Sequence, residues 1–201
     1  MMENKIIEIM KKRRSIYSIK NELPYSEEEL IRRLEQVVLT LPTPFNSQSS
    51  KMVLLLGENH TKLWKEVTLE TLRKVTPPDA FQNTIKKMES FAAGYGTILF
   101  FNDDKITQGL MDQFSLYRDY FIPWSEHANG MLQFAVWMMF AEEGIGASLQ
   151  HYNPLIDEEV KKIFGIDPNW RLVAQMPFGL IGAPAGPKQS KGVDELFKVV
   201  K

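Results

Sequence analysis

The chain has 201 residues, with 24 Lys and Arg against 25 Asp and Glu, a formal net charge of −1. That length holds one domain with a sizeable core, and a near-neutral chain carries no global attraction to nucleic acid or to an anionic membrane. Cysteine is absent, which excludes disulfides, thiolate zinc sites, iron–sulfur clusters and cysteine nucleophiles.

The N-terminal sequence MMENKIIEIMKKRR puts its charges after its apolar residues and has no small-residue cleavage site, unlike a signal peptide. The expected location is the cytoplasm. Residues 3–18 carry Ile6, Ile9, Met10, Arg13, Ile16 and Tyr17 at helical spacing, which predicts a first helix. Ser26 and Glu29 form a Ser-x-x-Glu capping box opening a second helix, with Leu30, Leu34, Val37, Val38 and Leu41 as its buried stripe. A proline-rich turn over 41–50 follows, and then a wholly apolar run over 52–56 that reads as a buried strand. Helices are predicted over 61–75 and 79–93, separated by Pro77-Pro78, and a second buried strand over 97–101. Residues 104–121 read as helical up to a break at Pro123, and Ser125 as the cap of a further helix reaching Glu143. The second half of that helix is apolar nearly all round, which suits a central core helix or a subunit interface. Its longest near-apolar run, 131–141, contains Gln133 and falls far short of the ~20 residues of a membrane span. A short strand over 147–150, a helix over 155–164, a last strand over 170–178 and an extended tail from Gly179 complete the reading. Strands separated by helices around a buried sheet give three layers, α/β/α.

Four places carry candidate chemistry. Arg13 lies on the apolar stripe of the first helix, where a guanidinium must snorkel, pair with a carboxylate, or hold an anion. In the last case Arg13, Arg14 and the Ser15 hydroxyl form a phosphate site. In Asn46-Ser47-Gln48 the amides, both donors and acceptors, either satisfy their own turn or meet the edge of a heterocycle. Gln150-His151-Tyr152-Asn153 is either a packed turn or the lining of a site at a strand end. Lys188 and Lys191 are either solvated or return to the phosphate near Arg13, since a phosphate dianion suits two cations. Gly144-Ile145-Gly146 follows a helix and lacks the third glycine of a dinucleotide fingerprint, so it reads as a helix cap. His60, His127 and His151 lie in different elements without ligand spacing, which disfavours metal catalysis. Trp64 and Trp137 read as core, and Trp124 as the rim of a pocket.

Together these segments resemble the nitroreductase family of FMN-dependent oxidoreductases over essentially the whole chain. Arg13-Arg14-Ser15-Ile16-Tyr17 is similar to the family's Arg-x-Ser flavin motif, and Pro44-Phe45-Asn46-Ser47-Gln48 to its Ser-x-Asn-x-Gln loop. Residues 141–147 resemble the end of its central helix. The run from Leu149 to Asp157, with Gly96 to Phe101, Trp124-Ser125-Glu126 and Ala183 to Lys188, is similar to the subgroup of copper-induced bacterial and fungal fatty-acid-repression nitroreductases.

The resemblance implies an α+β fold of three layers around a central mixed sheet. It implies a single domain over 1–201 in an intertwined homodimer, with an extension from about 180 wrapping the partner. It implies FMN bound at the dimer interface and NADH or NADPH as donor. Nitroaromatics, quinones or related small molecules would be reduced in a second half-reaction through the same pocket. Carried over, Arg13, Arg14, Ser15, Lys188 and Lys191 meet the FMN phosphate or ribityl chain. Asn46, Ser47 and Gln48 meet the ribityl chain or ring edge. Leu149, Gln150 and His151 lie against the ring, and Trp124 and Tyr152 line the substrate pocket. No side chain is needed as a nucleophile; His151, a residue type that titrates near neutral pH, is the candidate proton donor. Tyr17 stands where many members carry a base against the flavin, and Ser49-Ser50 where many carry Pro-Trp. A neutral phenol compensates a reduced, anionic flavin less than a cation does. Two alternatives are a flavin-binding redox sensor or stress-response protein with little turnover, and a flavin-free helical interaction protein.

Overall fold

The computed structural model describes residues 4–201. Helix α1 (Lys5–Lys12) is capped by the Asn4 side chain, which accepts from the Ile6 amide at 2.9 Å. The predicted helix over 3–18 is corrected at its second half. Arg13 is already extended, and β1 (Ile19–Lys20) follows. The reason is tertiary: residues 15–20 find partners in the sheet, and those bonds outweigh the helical periodicity. Helix α2 (Glu27–Thr40) starts where the capping box predicts, with Ser26 Oγ accepting from the Glu29 amide at 3.3 Å. The Glu29 carboxylate takes Arg32 and Arg33 instead of closing the box.

After a 3-10 turn (Pro44–Asn46), β2 (Ser50–Leu56) runs straight into α3 (Gly57–Lys62), a π-helical segment (Leu63–Thr68) and α4 (Leu69–Arg73). The helix predicted from 61 begins four residues earlier. Gly57, at φ +53°, makes the turn that ordinarily requires a loop. Helix α5 (Pro78–Ala92) leads to β3 (Gly96–Asp103), then α6 (Asp104–Gln113) and a 3-10 segment (Ser115–Tyr120). Helix α7 (Phe121–Glu142) contains Pro123 in its first turn, where a proline costs no helical hydrogen bond. The predicted break at Pro123 and cap at Ser125 are therefore absent. The Ser125 hydroxyl is buried and donates to the Ile122 carbonyl at 2.8 Å. Strand β4 (Ile145–Ala147) precedes the strand predicted over 147–150. Helix α8 (Asp157–Phe164), β5 (Trp170–Ile181) and a short α9 (Val193–Leu196), inside the predicted extended tail, follow.

The sheet order is β1-β5-β3-β2, with β4 also pairing β5. Each ladder between these strands is antiparallel, so among the described residues the expected mixed sheet is mixed through one parallel bridge, Ser15–Ala147. Alternation along β3 divides the core. Ile98 and Phe100, with Ala174, Met176 and Phe178, pack under α2 and α7 through Leu30, Leu34, Leu132, Val136 and Phe140. Leu99 and Phe101 pack on the opposite face with Leu63, Trp64, Met88, Phe91, Ile156 and Val160. This is an α+β fold of three layers, and β3 is buried on both faces as its apolar run predicts. Among the described residues no helix is long and apolar enough to cross a membrane.

Candidate active site

The N-terminal segment is stitched onto the edge formed by β4 and β5. The Ile16 amide donates to the Ala147 carbonyl at 2.9 Å, Ile19 and Lys20 pair with Ile181 and Leu180, and the Gly182 amide donates to the Ser18 carbonyl at 2.8 Å. Gly179 makes the approach possible: a Cβ there would stand 2.0 Å from the Lys20 carbonyl oxygen. Beyond Gly182 the chain runs on beside residues 13–18, and the Arg14 Nη2 donates to the Gly186 carbonyl at 2.7 Å, holding the tail.

Between these two stretches lies a cleft of about 580 Å3, lined by residues 13–18 and 183–188. Arg13, Arg14, Ser15, Tyr17 and Lys188 thus meet in one cavity from opposite ends of the sequence. Among the described residues three cations and no carboxylate line it, a donor set suited to a phosphate dianion. The Arg13 guanidinium carbon lies 4.4 Å from the centre of the Trp137 ring. Lys191 does not line the cleft and pairs with Glu195 at 3.3 Å.

The turn after β4 borders this region. The Gln150 amide donates to the Gln175 carbonyl at 2.8 Å and the Gln150 carbonyl accepts from the Gln175 amide at 2.9 Å, while the Gln150 side-chain Nε2 donates to Ser148 Oγ at 3.0 Å. The fully buried Gln175 accepts the Tyr152 amide through Oε1 at 2.8 Å. Gln150 is therefore a structural member of the turn, Leu149 packs partly into the core and His151 faces solvent. The Tyr152 ring lies edge-on to Trp64, 5.9 Å between centroids. Burial pushes its phenol up to about 12, helped by nearby Tyr17, so Tyr152 stays protonated. Gln175 escapes sequence reading; its one signal is a lone amide within an apolar strand.

The turn over 44–49 is held by the Asn46 amide donating to the Thr43 carbonyl and the Gln48 amide to Thr43 Oγ1, both at 3.0 Å. Phe45, Asn46 and Gln48 all have φ near +50°, a strained set for residues other than glycine. The Asn46 and Gln48 side chains are exposed, and Ser47 Oγ lies 3.3 Å from Ser49 Oγ. Phe45 stacks with Trp124, 6.3 Å between centroids, and both line a separate apolar groove of about 400 Å3 with Pro42, His127 and Met131. Trp124 lines this groove, and Tyr152 lines neither the groove nor the cleft.

The sequence model of the Nitroreductase family matches residues 10–180. The chain belongs to the nitroreductase family. The nitroreductase CinD of Lactococcus lactis, solved in complex with chloramphenicol, is similar at 39% identity and a TM-score of 0.90, over 98% of this chain and 100% of that one. The yeast protein HBN1 (Saccharomyces cerevisiae) is 35% identical over 88% of each chain. The fold alone is shared with a nitroreductase from Desulfitobacterium hafniense crystallised with bound FMN, at 16% identity and a TM-score of 0.74 over the whole of both chains. This nitroreductase-family chain is thus an oxidoreductase of that type, and the cleft between its two termini is its candidate site.

Proposed function

We propose that the chain is an FMN-dependent oxidoreductase that takes hydride from NADH or NADPH and reduces nitroaromatics, quinones or related acceptors. The observation that carries this reading is the meeting of Arg13, Arg14, Ser15 and Lys188 in one cleft that no carboxylate of the described residues lines. Those residues fit the terminal phosphate of FMN, with the cations offsetting its charge and the Ser15 hydroxyl free to donate. FMN, when bound, supplies a ring that accepts and donates hydride, and the protein supplies position and polarity. Tyr17 offers the ring edge a neutral phenol in place of a cation. Tyr152, kept protonated by burial and packed edge-on to Trp64, would meet the substrate beside Tyr17. His151, exposed at the turn, relays a proton from water. A His151→Ala protein with normal flavin content is expected to turn over more slowly; unchanged turnover removes that role.

The site is completed by a second copy. Ile6 and Met10 of α1 and Met131 and Phe134 of α7 are large exposed apolar residues, and Leu196 and Phe197 of the tail are too. Such surfaces suit an interface. Residues 183–188 line the cleft, and the extension from about 180 would carry on past them to wrap the partner. In the dimer, Asn46, Gln48 and Trp124 would reach the partner's cleft. Light scattering of the full chain should give a dimer, and a chain truncated after Lys188 a weaker one.

The deciding experiment is the visible absorption spectrum of the purified protein, with chromatography of what heat releases. A yellow protein yielding about one FMN per subunit supports the reading. A chain that stays colourless after incubation with FMN overturns it. Steady-state consumption of NAD(P)H with a quinone then separates an enzyme from a slowly reduced sensor.

A further inference from the structure

Arg13 and Arg14 are adjacent in sequence and chemically opposite in their surroundings. Arg14 gives a donor to the Gly186 carbonyl and so anchors the tail. Arg13 has no side-chain hydrogen bond or ion pair among the described residues, and its guanidinium sits over the Trp137 ring. A cation on an aromatic face is held by the ring quadrupole, and that contact uses none of its N–H groups. An unrestrained arginine loses much rotamer freedom when it grips a ligand; one already resting on a platform loses less. The platform is firm. Trp137 is half-buried against the core, and its neighbours on α7, Val136 and Phe140, are fully buried.

We propose that Trp137 is a positioning residue of the phosphate site: its indole holds Arg13 in the cleft with its donors free for a phosphate monoester. This rests on the FMN reading above. A mere packing role is met by any large apolar side chain, and a positioning role is not.

The test compares binding of FMN and of riboflavin, which lacks the phosphate, to the full-length chain freed of flavin, in phosphate-free buffer. Trp137→Leu should lower FMN affinity roughly fivefold and leave riboflavin affinity within about twofold. Trp137→Phe keeps an aromatic face and guards against a folding defect; it should bind FMN between the wild type and the Leu variant. In an Arg13→Ala background, Trp137→Leu should change FMN affinity less than about twofold, because the residue it positions is gone. Equal losses for FMN and riboflavin, or no loss, would overturn the inference. So would full additivity with an Arg13→Ala variant that itself loses FMN selectively, and the FMN reading would then stand. Arg13→Ala with an unchanged FMN-to-riboflavin ratio, or a wild-type chain that binds neither flavin, removes the underlying reading together with the inference.

Discussion

The cleft beside Arg13 and the groove beside Trp124 differ in what forms their walls. The cleft is bounded by backbone: residues 15–20 hydrogen-bond to β4 and β5, and the Arg14–Gly186 bond ties together positions 172 residues apart. The groove is bounded by side chains, with Phe45 on a strained turn against Trp124 and Phe121. Backbone pairing fixes positions within a fraction of an ångström, whereas an aromatic cluster repacks when one ring is displaced. A fixed, cationic cavity suits the unvarying phosphate of a cofactor. An apolar groove of adaptable rings suits flat acceptors of varied shape.

The severest way to break that contrast is to attack the backbone wall. Gly179→Ala puts a methyl group 2.0 Å from the Lys20 carbonyl oxygen, and neither atom can swing aside as a side-chain tip does. The expected cost is at least about 3 kcal/mol, a fall in melting temperature of roughly 6–12 °C, with loss of FMN binding. A melting temperature within about a degree of wild type would mean that the edge is pliable. Acid challenges both regions through their shared scaffold. His60 is 2% exposed, with Nδ1 2.8 Å from Thr97 Oγ1, and Trp64 Nε1 donates to the same oxygen at 2.8 Å. Burial holds its pKa down at about 4, outweighing the carbonyls of Phe91, Ala92 and Gly94 that favour the cation. The unfolded chain binds this proton below about pH 6.5 and the folded chain only below about 4. Stability is therefore full above pH 6.5 and falls by about 3 kcal/mol as pH drops to 4. Urea titrations at several pH values check this, and His60→Gln should flatten the dependence over that window.

Arg13→Ala tests the charge of the cleft without touching its walls. One charge-assisted bond is worth roughly 1.5–3 kcal/mol, so FMN affinity should fall about 10- to 150-fold with little change in melting temperature. Retention within about twofold would remove Arg13 from the site. Trp124→Ala tests the groove. It should lower kcat/KM for a nitroaromatic or quinone roughly tenfold and leave FMN affinity unchanged, since a stacked ring contributes about 1 kcal/mol beyond its area. A parallel fall in FMN affinity would mean that cleft and groove act as one unit.

The long periodic elements were legible in the sequence because periodicity reports a buried face directly. The stripe of α2 from Leu30 to Leu34 and the run Ile98 to Phe101 are read from spacing alone. Strand β1 was not legible: Ile19 and Lys20 are too few to carry a pattern, and they are extended because β5 offers them partners. The same pairing ended α1 at Lys12 and carried β5 to Ile181. Pro123 misleads because a proline that breaks a helix interior is tolerated in a first turn. In the candidate site, charge complementarity pointed to Lys188 or Lys191 returning toward Arg13, and of the two Lys188 lines the cleft with it. Spacing could not point to Gln175 or Trp137, whose roles depend on what chain folding brings beside them.

The smallest effect separates two lysines three positions apart. Lys188 lines the cleft with Arg13 and Arg14. Lys191 reaches away to Glu195, four residues on, in an exposed pair of the kind that contributes little. Lys188→Ala should weaken FMN binding about fivefold, an ordinary value for a partly solvated cation beside a phosphate, and the loss should shrink as salt is raised. Lys191→Ala should change it by less than about twofold. The reverse ranking would mean that the extended tail shifts along the cleft by three residues when the phosphate arrives. The backbone wall would then end at Gly182, and the tail would belong with the adaptable groove.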